Sequence, residues 1–151
     1  MIAITYPAFE FKLKEEQGRK YIFDELRKVW LKLTPEEWVR QNFLQYLIKV
    51  KLYPSALIAV EKEIRLGEMK KRFDLPVFDH NHQPWMLIEC KEMETSLEQH
   101  VLDQILRYHI SVPVPYLVIT NGRYCAGFEK KNSQLHPLTE LPAFGCPHYS
   151  G

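Results

Sequence analysis

Two alternating apolar segments, a well-capped helix, three strand-like runs, a second helix and two closing strands follow one another along the chain. That order, ββ, α, βββ, α, ββ, predicts an α/β (α+β) fold: a mixed central sheet flanked by helices, preceded by an N-terminal β-hairpin. With 151 residues and 46% hydrophobic content, one domain spanning 1–151 can bury a real core. Its expected core is about 33–128, with the hairpin at 9–23 before it and an irregular tail at 130–151 after it.

The elements read as follows. Phe9, Phe11 and Leu13 alternate with Glu10, Lys12 and Lys14; Gln17-Gly18 breaks the run and Lys20-Tyr21-Ile22-Phe23 resumes it. Asp24 to Leu33 reads as a short helical or irregular connector turning Val29 and Trp30 inward. Thr34 is placed as an N-cap, Pro35 as the first helical residue and Glu37 as the capping-box glutamate, which predicts a helix to about Val50. Trp38, Phe43, Leu44, Leu47 and Ile48 form its apolar face. After Pro54, strands are expected over Ala56–Ile64 and Lys71–Phe78. A polar turn at Asp79–Pro84 then leads into a central apolar strand, Trp85–Lys91. Leu97 to Ile110 has helical period and is stopped by Pro113 and Pro115. Tyr116–Thr120 reads as a buried strand, Asn121-Gly122 as a turn and Tyr124–Phe128 as the last strand.

The composition excludes several classes of function. Twenty basic and nineteen acidic residues leave a formal charge of +1, so any nucleic-acid binding must come from local patches. Cys90, Cys125 and Cys146 are widely spaced and odd in number, which fits a reducing cytoplasm better than a disulfide framework. The N-terminus lacks the basic start of a secretory signal, and no apolar run approaches bilayer length. The expectation is a cytoplasmic protein with no membrane partner.

The chemistry concentrates at Glu89-Cys90-Lys91, which closes the apolar run Trp85-Met86-Leu87-Ile88. Successive side chains of a strand alternate faces, so Glu89 and Lys91 point one way and Cys90 the other. Beside Asp74 on a neighbouring strand they form a two-carboxylate site with a lysine next to it, a grouping that suits metal-assisted phosphodiester hydrolysis. Glu-x-Lys alone is common, and a surface strand with an ordinary ion pair would explain it. Asp74 on the preceding strand, with a helix to either side, favours the catalytic reading.

These residues also carry a resemblance. Thr34-Pro35-Glu36-Glu37-Trp38-Val39-Arg40-Gln41, then Arg72-Phe73-Asp74, Glu89-Cys90-Lys91, and Gln104 with Tyr108 occur in the order of the PD-(D/E)xK nuclease superfamily. Within it, the chain most resembles the N-terminal nuclease domain of type I restriction enzyme R subunits, over roughly Leu33 to Phe128. Phe73 stands where the superfamily's name has proline, at a position that is loose in the family. The chain ends where a helicase motor would begin, so the expectation is a solitary domain unable to translocate on DNA.

The resemblance implies a restriction-endonuclease-like fold and a metal-dependent DNA endonuclease. It implies Mg²⁺, with Mn²⁺ as a substitute, on Asp74, Glu89, the Cys90 backbone carbonyl and Glu37. Lys91 would assist the attacking water or neutralise the phosphorane oxygens. Glu37 is the helix carboxylate by position; Glu36 is its competitor, because a glutamate at the third helical position is stabilising without any chemistry. Gln104 and Tyr108, four apart on one helical face, would orient the lysine or meet the DNA backbone, unless they only belong to an amphipathic helix. Lys71 and Arg72 would contact phosphate, or simply pair with carboxylates. DNA is the expected partner, with a motor or specificity subunit and a homodimer as further assemblies of such nucleases.

The weaker signals have simpler explanations. His80-Asn81-His82 is a polar turn, since the ββα context of HNH nucleases is lacking. Cys146-Pro147-His148 is a lone Cys/His pair without zinc partners. Glu61 and Glu63 are expected to face solvent. The alternative to an endonuclease is a non-cutting accessory module that binds DNA or a partner in restriction or repair; an enzyme acting on RNA or a nucleotide is less supported.

Overall fold

The protein is represented by a computed structural model that describes residues 1–66, 68–109 and 111–145. Its strands and helices in chain order are β1 (Ile2–Ala3), β2 (Leu13–Glu16), β3 (Arg19–Asp24), β4 (Val29–Lys32), α1 (Pro35–Lys49), β5 (Lys62–Leu66), β6 (Met69–Phe73), β7 (Leu75–Phe78), β8 (Pro84–Cys90), α2 (Gln99–His109), β9 (Tyr116–Thr120), β10 (Tyr124–Lys131) and β11 (Gln134–Pro137). The expected α+β fold with a mixed central sheet and two helices is the fold observed.

The six-stranded sheet has the order β1-β10-β9-β8-β7, with β11 also on β10. Only β8 and β9 are parallel; β7–β8, β9–β10, β1–β10 and β10–β11 are antiparallel. A parallel pair needs a crossover connection, and α2 is that crossover. Central position explains composition: Trp85–Ile88 and the whole of β9 are buried, because both sheet faces are covered. One face packs Met86, Ile88, Cys90, Leu75, Val77 and Val118 with Phe43, Leu44 and Leu47 of α1. On the other face, Leu87 and Leu117 sit with Phe73, Val112 and Val114, while Ile119 and Ala126 meet Leu97 and Leu102.

α1 begins as the sequence predicts. The Glu37 amide donates to the Thr34 hydroxyl at 3.0 Å, and Pro35 occupies the first turn. Its buried surface differs from the expected apolar stripe. Glu37, Arg40 and Gln41 are buried beside Val39, Phe43 and Leu44, while Trp38 is exposed. A polar network on its N-terminal half meets these side chains.

The expected N-terminal hairpin is present as β2-β3, and β4 extends it to a three-stranded meander, β2-β3-β4. The supposed connector after Asp24 contains β4. The turn before it has neither Gly nor Pro: the Asp24 side chain accepts from the Leu26 and Arg27 amides, and Lys28 adopts φ 58°. The strand expected over Ala56–Ile64 is a 3₁₀ turn at Ser55–Leu57, a single bridge from Ile58 to Val77, and β5 beyond a kink at Glu61, φ 49°. Lys71–Phe78 is two strands, β6 and β7, interrupted at Asp74. The β5–β6 ribbon therefore leaves the main sheet where Glu61 and Asp74 lie side by side, the Glu61 amide donating to the Asp74 carbonyl at 2.8 Å. The tail, expected to be irregular, contributes β11 to the sheet. Cys146 and His148 lie outside the described residues.

Candidate active site at the end of the central strands

The break at Asp74 does not spoil its register. Leu75 pairs with Ile88 and Pro76 with Leu87, so continuing the ladder by one residue sets Asp74 opposite Glu89. Directly opposed residues project from the same face. Cys90 points the other way into the core beside Met86 and Ile88, fully buried, and that burial pushes its thiol well up. Lys91 follows the strand, its amide donating to the Thr120 carbonyl at 2.7 Å, so the end of β9 fixes its backbone.

Asp74 is held from two sides. One carboxylate oxygen accepts from the Cys90 amide at 2.8 Å, and the other from Arg40 Nη1 at 2.8 Å. Glu89 is half-buried and shares a hydrogen bond with Asp74. Burial first, then the Asp74 charge and that bond, raise the Glu89 carboxyl to about 8, against the pull of Lys91. Two carboxyls this close retain a proton because like charges cannot both ionise cheaply.

Glu36, exposed on α1, feels the charges of this cluster. Burial and the charge on Asp74 raise its carboxyl, while Lys91 and Arg40 oppose the rise. Glu37, the sequence-based preference, is turned away into a fork with Arg40: Nε donates to one oxygen at 3.0 Å and Nη2 to the other at 2.7 Å. Gln41 adds a bond at 3.1 Å. The capping-box position thus supplies Glu37's amide to Thr34, while its side chain serves the buried network.

That network was not legible in the sequence. Arg40, 6% exposed, grips Glu37, Asp74 and Glu61, the last at 3.0 Å. Burial opposes its charge, but the three carboxylates keep the guanidinium firmly protonated. Glu61, expected to face solvent, also meets Arg27 at 3.5 Å and Arg72 at 3.9 Å. Arg27 continues to Asp24, which also accepts from Gln41 at 3.1 Å. Burial pushes Asp24 up, and these hydrogen bonds from Arg27 and Gln41 outweigh it, leaving the carboxyl below its usual range. Four residues spacing Glu37 and Gln41 on α1, with Arg40 between, are the only sequence trace of it.

The other expected site residues are placed less centrally. Gln104 is exposed on α2 and makes no hydrogen bond to the Asp74–Glu89 pair. The Tyr108 side chain lies outside the described residues. Lys71 is half-buried and Arg72 largely exposed on the ribbon that leads into Asp74. Glu63 pairs with Lys70 at the surface. His80-Asn81-His82 forms a turn held by the Asp79 side chain.

Among the described residues, no three His, Cys, Asp or Glu side chains converge as a ready-made metal cage. The donor chemistry nevertheless suits a hard divalent cation. Mg²⁺ commonly takes one or two carboxylates and leaves its remaining positions to water and phosphate, and here Asp74 and Glu89 are forced together. A cation would take the place of the proton that Glu89 retains.

No curated protein matches the chain. Among the described residues no helix is long and apolar enough to cross a membrane. A family model described as the N terminus of the type I restriction enzyme R protein matches residues 35–142. That span opens at the first residue of α1 and takes in Glu36, Asp74, Glu89 and Lys91. The chain belongs to the family of type I restriction enzyme R protein N-terminal domains.

Proposed function

We propose that this domain hydrolyses DNA phosphodiester bonds with the help of a divalent cation, as the nuclease element of a restriction system. The observation that carries the reading is the cross-strand placement of Asp74 against Glu89, with Lys91 two residues on and its charge acting on Glu89. A PD-(D/E)xK-type site needs that grouping of two acids and one lysine, and the family membership supports it.

Asp74 and Glu89 would hold Mg²⁺ or Mn²⁺, with Glu36 completing the shell directly or through a water. The Cys90 carbonyl is a further candidate ligand: the N–H and C=O of one strand residue leave by the same edge, and the Cys90 amide already faces Asp74. When bound, the cation would act as a Lewis acid on the scissile phosphate and lower the pKa of a coordinated water. Lys91 supplies a positive charge close to both Glu36 and Glu89. From there its ammonium orients the attacking water and offsets charge building on the phosphate oxygens. Arg40 fixes Asp74 so that the carboxylate needs no reorganisation when substrate arrives.

DNA would approach over the β5–β6 ribbon, where Lys70, Lys71, Arg72 and Arg65 lie on the segment that ends at Asp74. These cations position a phosphate backbone without reading sequence. Gln104 and Tyr108 on α2 are assigned to the same backbone. A motor or specificity subunit would choose the target, and a second copy of the chain would supply the cut on the other strand.

The test is cleavage of supercoiled, linear and single-stranded DNA by the purified protein with Mg²⁺, Mn²⁺ or EDTA, beside Asp74→Ala and Lys91→Ala. Metal-dependent cutting lost in both variants is the expected result. Cutting unchanged in both would overturn the assignment. No cutting by any protein, with calorimetry showing metal bound by wild type and not by Asp74→Ala, would indicate a required partner; no metal bound would favour a non-cutting accessory module.

A further inference from the structure

We propose that the outward face of the β2-β3-β4 meander is a stacking platform for single-stranded DNA, separate from the carboxylate cluster. The meander precedes the family-matched span 35–142, so the family match does not describe this face.

The register defines the two faces. Leu13 opposes Ile22 and Lys14 opposes Tyr21; Ile22 opposes Leu31 and Phe23 opposes Trp30. Ile22 and Asp24 are fully buried, which turns their face inward. The other face therefore presents Tyr21, Phe23 and Trp30, three aromatic rings on adjacent strands. Trp30 is 39% exposed and packs edge-on against Phe23, with ring centroids 5.1 Å apart.

Cations are interleaved with these rings. Lys14 Nζ sits 4.5 Å above the Trp30 ring and 5.7 Å from Tyr21, while Lys12 Nζ lies 5.2 Å from Phe23. Arg19 and Lys32 flank them on the same face by alternation. Among the described residues of the three strands, Glu16, paired with Lys14, is the carboxylate on this face. Locally the face is strongly basic although the whole chain is close to neutral.

The exposed Trp30 ring, with the half-buried Tyr21 and Phe23 and the lysines beside them, matches an unstacked nucleic acid strand: bases stack on the aromatic surface and ammonium groups take the phosphates. A stacked duplex does not offer its base faces, so the occupant is single-stranded. The inward face ties the platform to the protein frame, because Asp24 bonds Gln41 and Arg27, and Arg27 reaches Glu61 beside Arg40. A strand held there is held by the same network that fixes Asp74.

The experiment is fluorescence anisotropy of labelled oligothymidylate with the full chain in EDTA, so cleavage plays no part and its failure would leave this proposal standing. Wild type is expected to bind with quenching of tryptophan emission. Trp30→Ala should weaken binding about tenfold or more, the loss expected for one base–aromatic stack, and abolish most of the quenching. Trp30→Phe should retain the affinity, which guards against a folding defect in the alanine variant. Lys14→Ala should reduce the slope of log Kd against log salt by about 0.7. No binding by wild type, equal binding by folded Trp30→Ala, or tighter binding of duplex or of oligouridylate would each overturn the proposal.

Discussion

Asp74 and Glu89 face each other across the β7–β8 pair as one cross-strand couple, although Asp74 lies just outside β7. The ladder that joins Leu75 to Ile88 carries them into opposition, and the Cys90 amide fastens Asp74 there at 2.8 Å. Cross-strand carboxylates in register ordinarily repel. Here burial and that proximity raise Glu89 to about 8, so it holds a proton that an isolated glutamate would lose near 4.5.

A pH dependence follows from that proton. Between the unfolded value of 4.5 and the folded value of about 8, the native state binds more protons than the unfolded chain. Stability therefore falls as pH rises through this window. Thermal melts in EDTA should show Tm declining from pH 5 to 8, and Glu89→Gln should flatten the decline. Added Mg²⁺ should raise Tm most at the upper end, because it takes the proton's place. A Tm that climbs with pH in the wild type and in Glu89→Gln alike would contradict a proton retained on Glu89.

Glu36 and Glu37 should separate function from stability. Glu36 is exposed at the cluster edge, so Glu36→Gln should leave Tm within a few degrees while lowering metal affinity and cleavage. Glu37→Gln removes one charge from a buried fork and should destabilise the protein by roughly 2–4 kcal/mol. Denaturant titration read beside metal titration distinguishes the two. Equal loss of metal affinity in both variants would make Glu37 the functional carboxylate after all.

Arg40 is predicted to be the most sensitive polar position. Its removal takes the guanidinium away from Glu37 and Asp74 and leaves Glu61 to Arg27 and Arg72. Arg40→Ala should cost about 3–5 kcal/mol. Arg40→Lys should recover only part of that, since an ammonium cannot reproduce the guanidinium fork. Urea unfolding of the two variants is the measurement; a loss under 1 kcal/mol in Arg40→Ala, by the same scale, would mean the network is not cooperative.

Gly122 couples the strand ends to α1. It adopts φ 87°, and a Cβ there would stand 3.2 Å from a Val39 methyl. Gly122→Ala should therefore destabilise by about 1–2 kcal/mol from the left-handed backbone alone, with crowding of Val39 added. Thr34→Ala, which loses the hydroxyl that caps α1, should cost about 1 kcal/mol. Both values are read from chemical denaturation, and a neutral Gly122→Ala would show that the turn relaxes freely.

Much of the frame was legible in local chemistry. Thr34 and Pro35 announce α1, and the β-rich run Trp85–Ile88 announces a buried strand. The alternation of Glu89, Cys90 and Lys91 decides which side chains face the core. These are short-range effects, set by capping, apolar period and the pleat, and they act within a few residues. β4 has no sequence signal because its turn relies on the Asp24 side chain and a positive φ at Lys28 in place of Gly or Pro.

Sequence by itself therefore determined the α+β class, the order of the core elements and the identity of Asp74, Glu89 and Lys91 as a candidate group. Tertiary structure decided how the acids are shared out. Glu36 and Glu37 are adjacent on one helix and chemically identical, so no local rule separates them. The pairing depends on Arg40, whose burial is tolerable because Glu37, one turn away on α1, and Glu61 and Asp74, from distant segments, converge on its guanidinium. An ion network of that kind exists only when the chain has folded, since its desolvation is offset by contacts that no single segment contains.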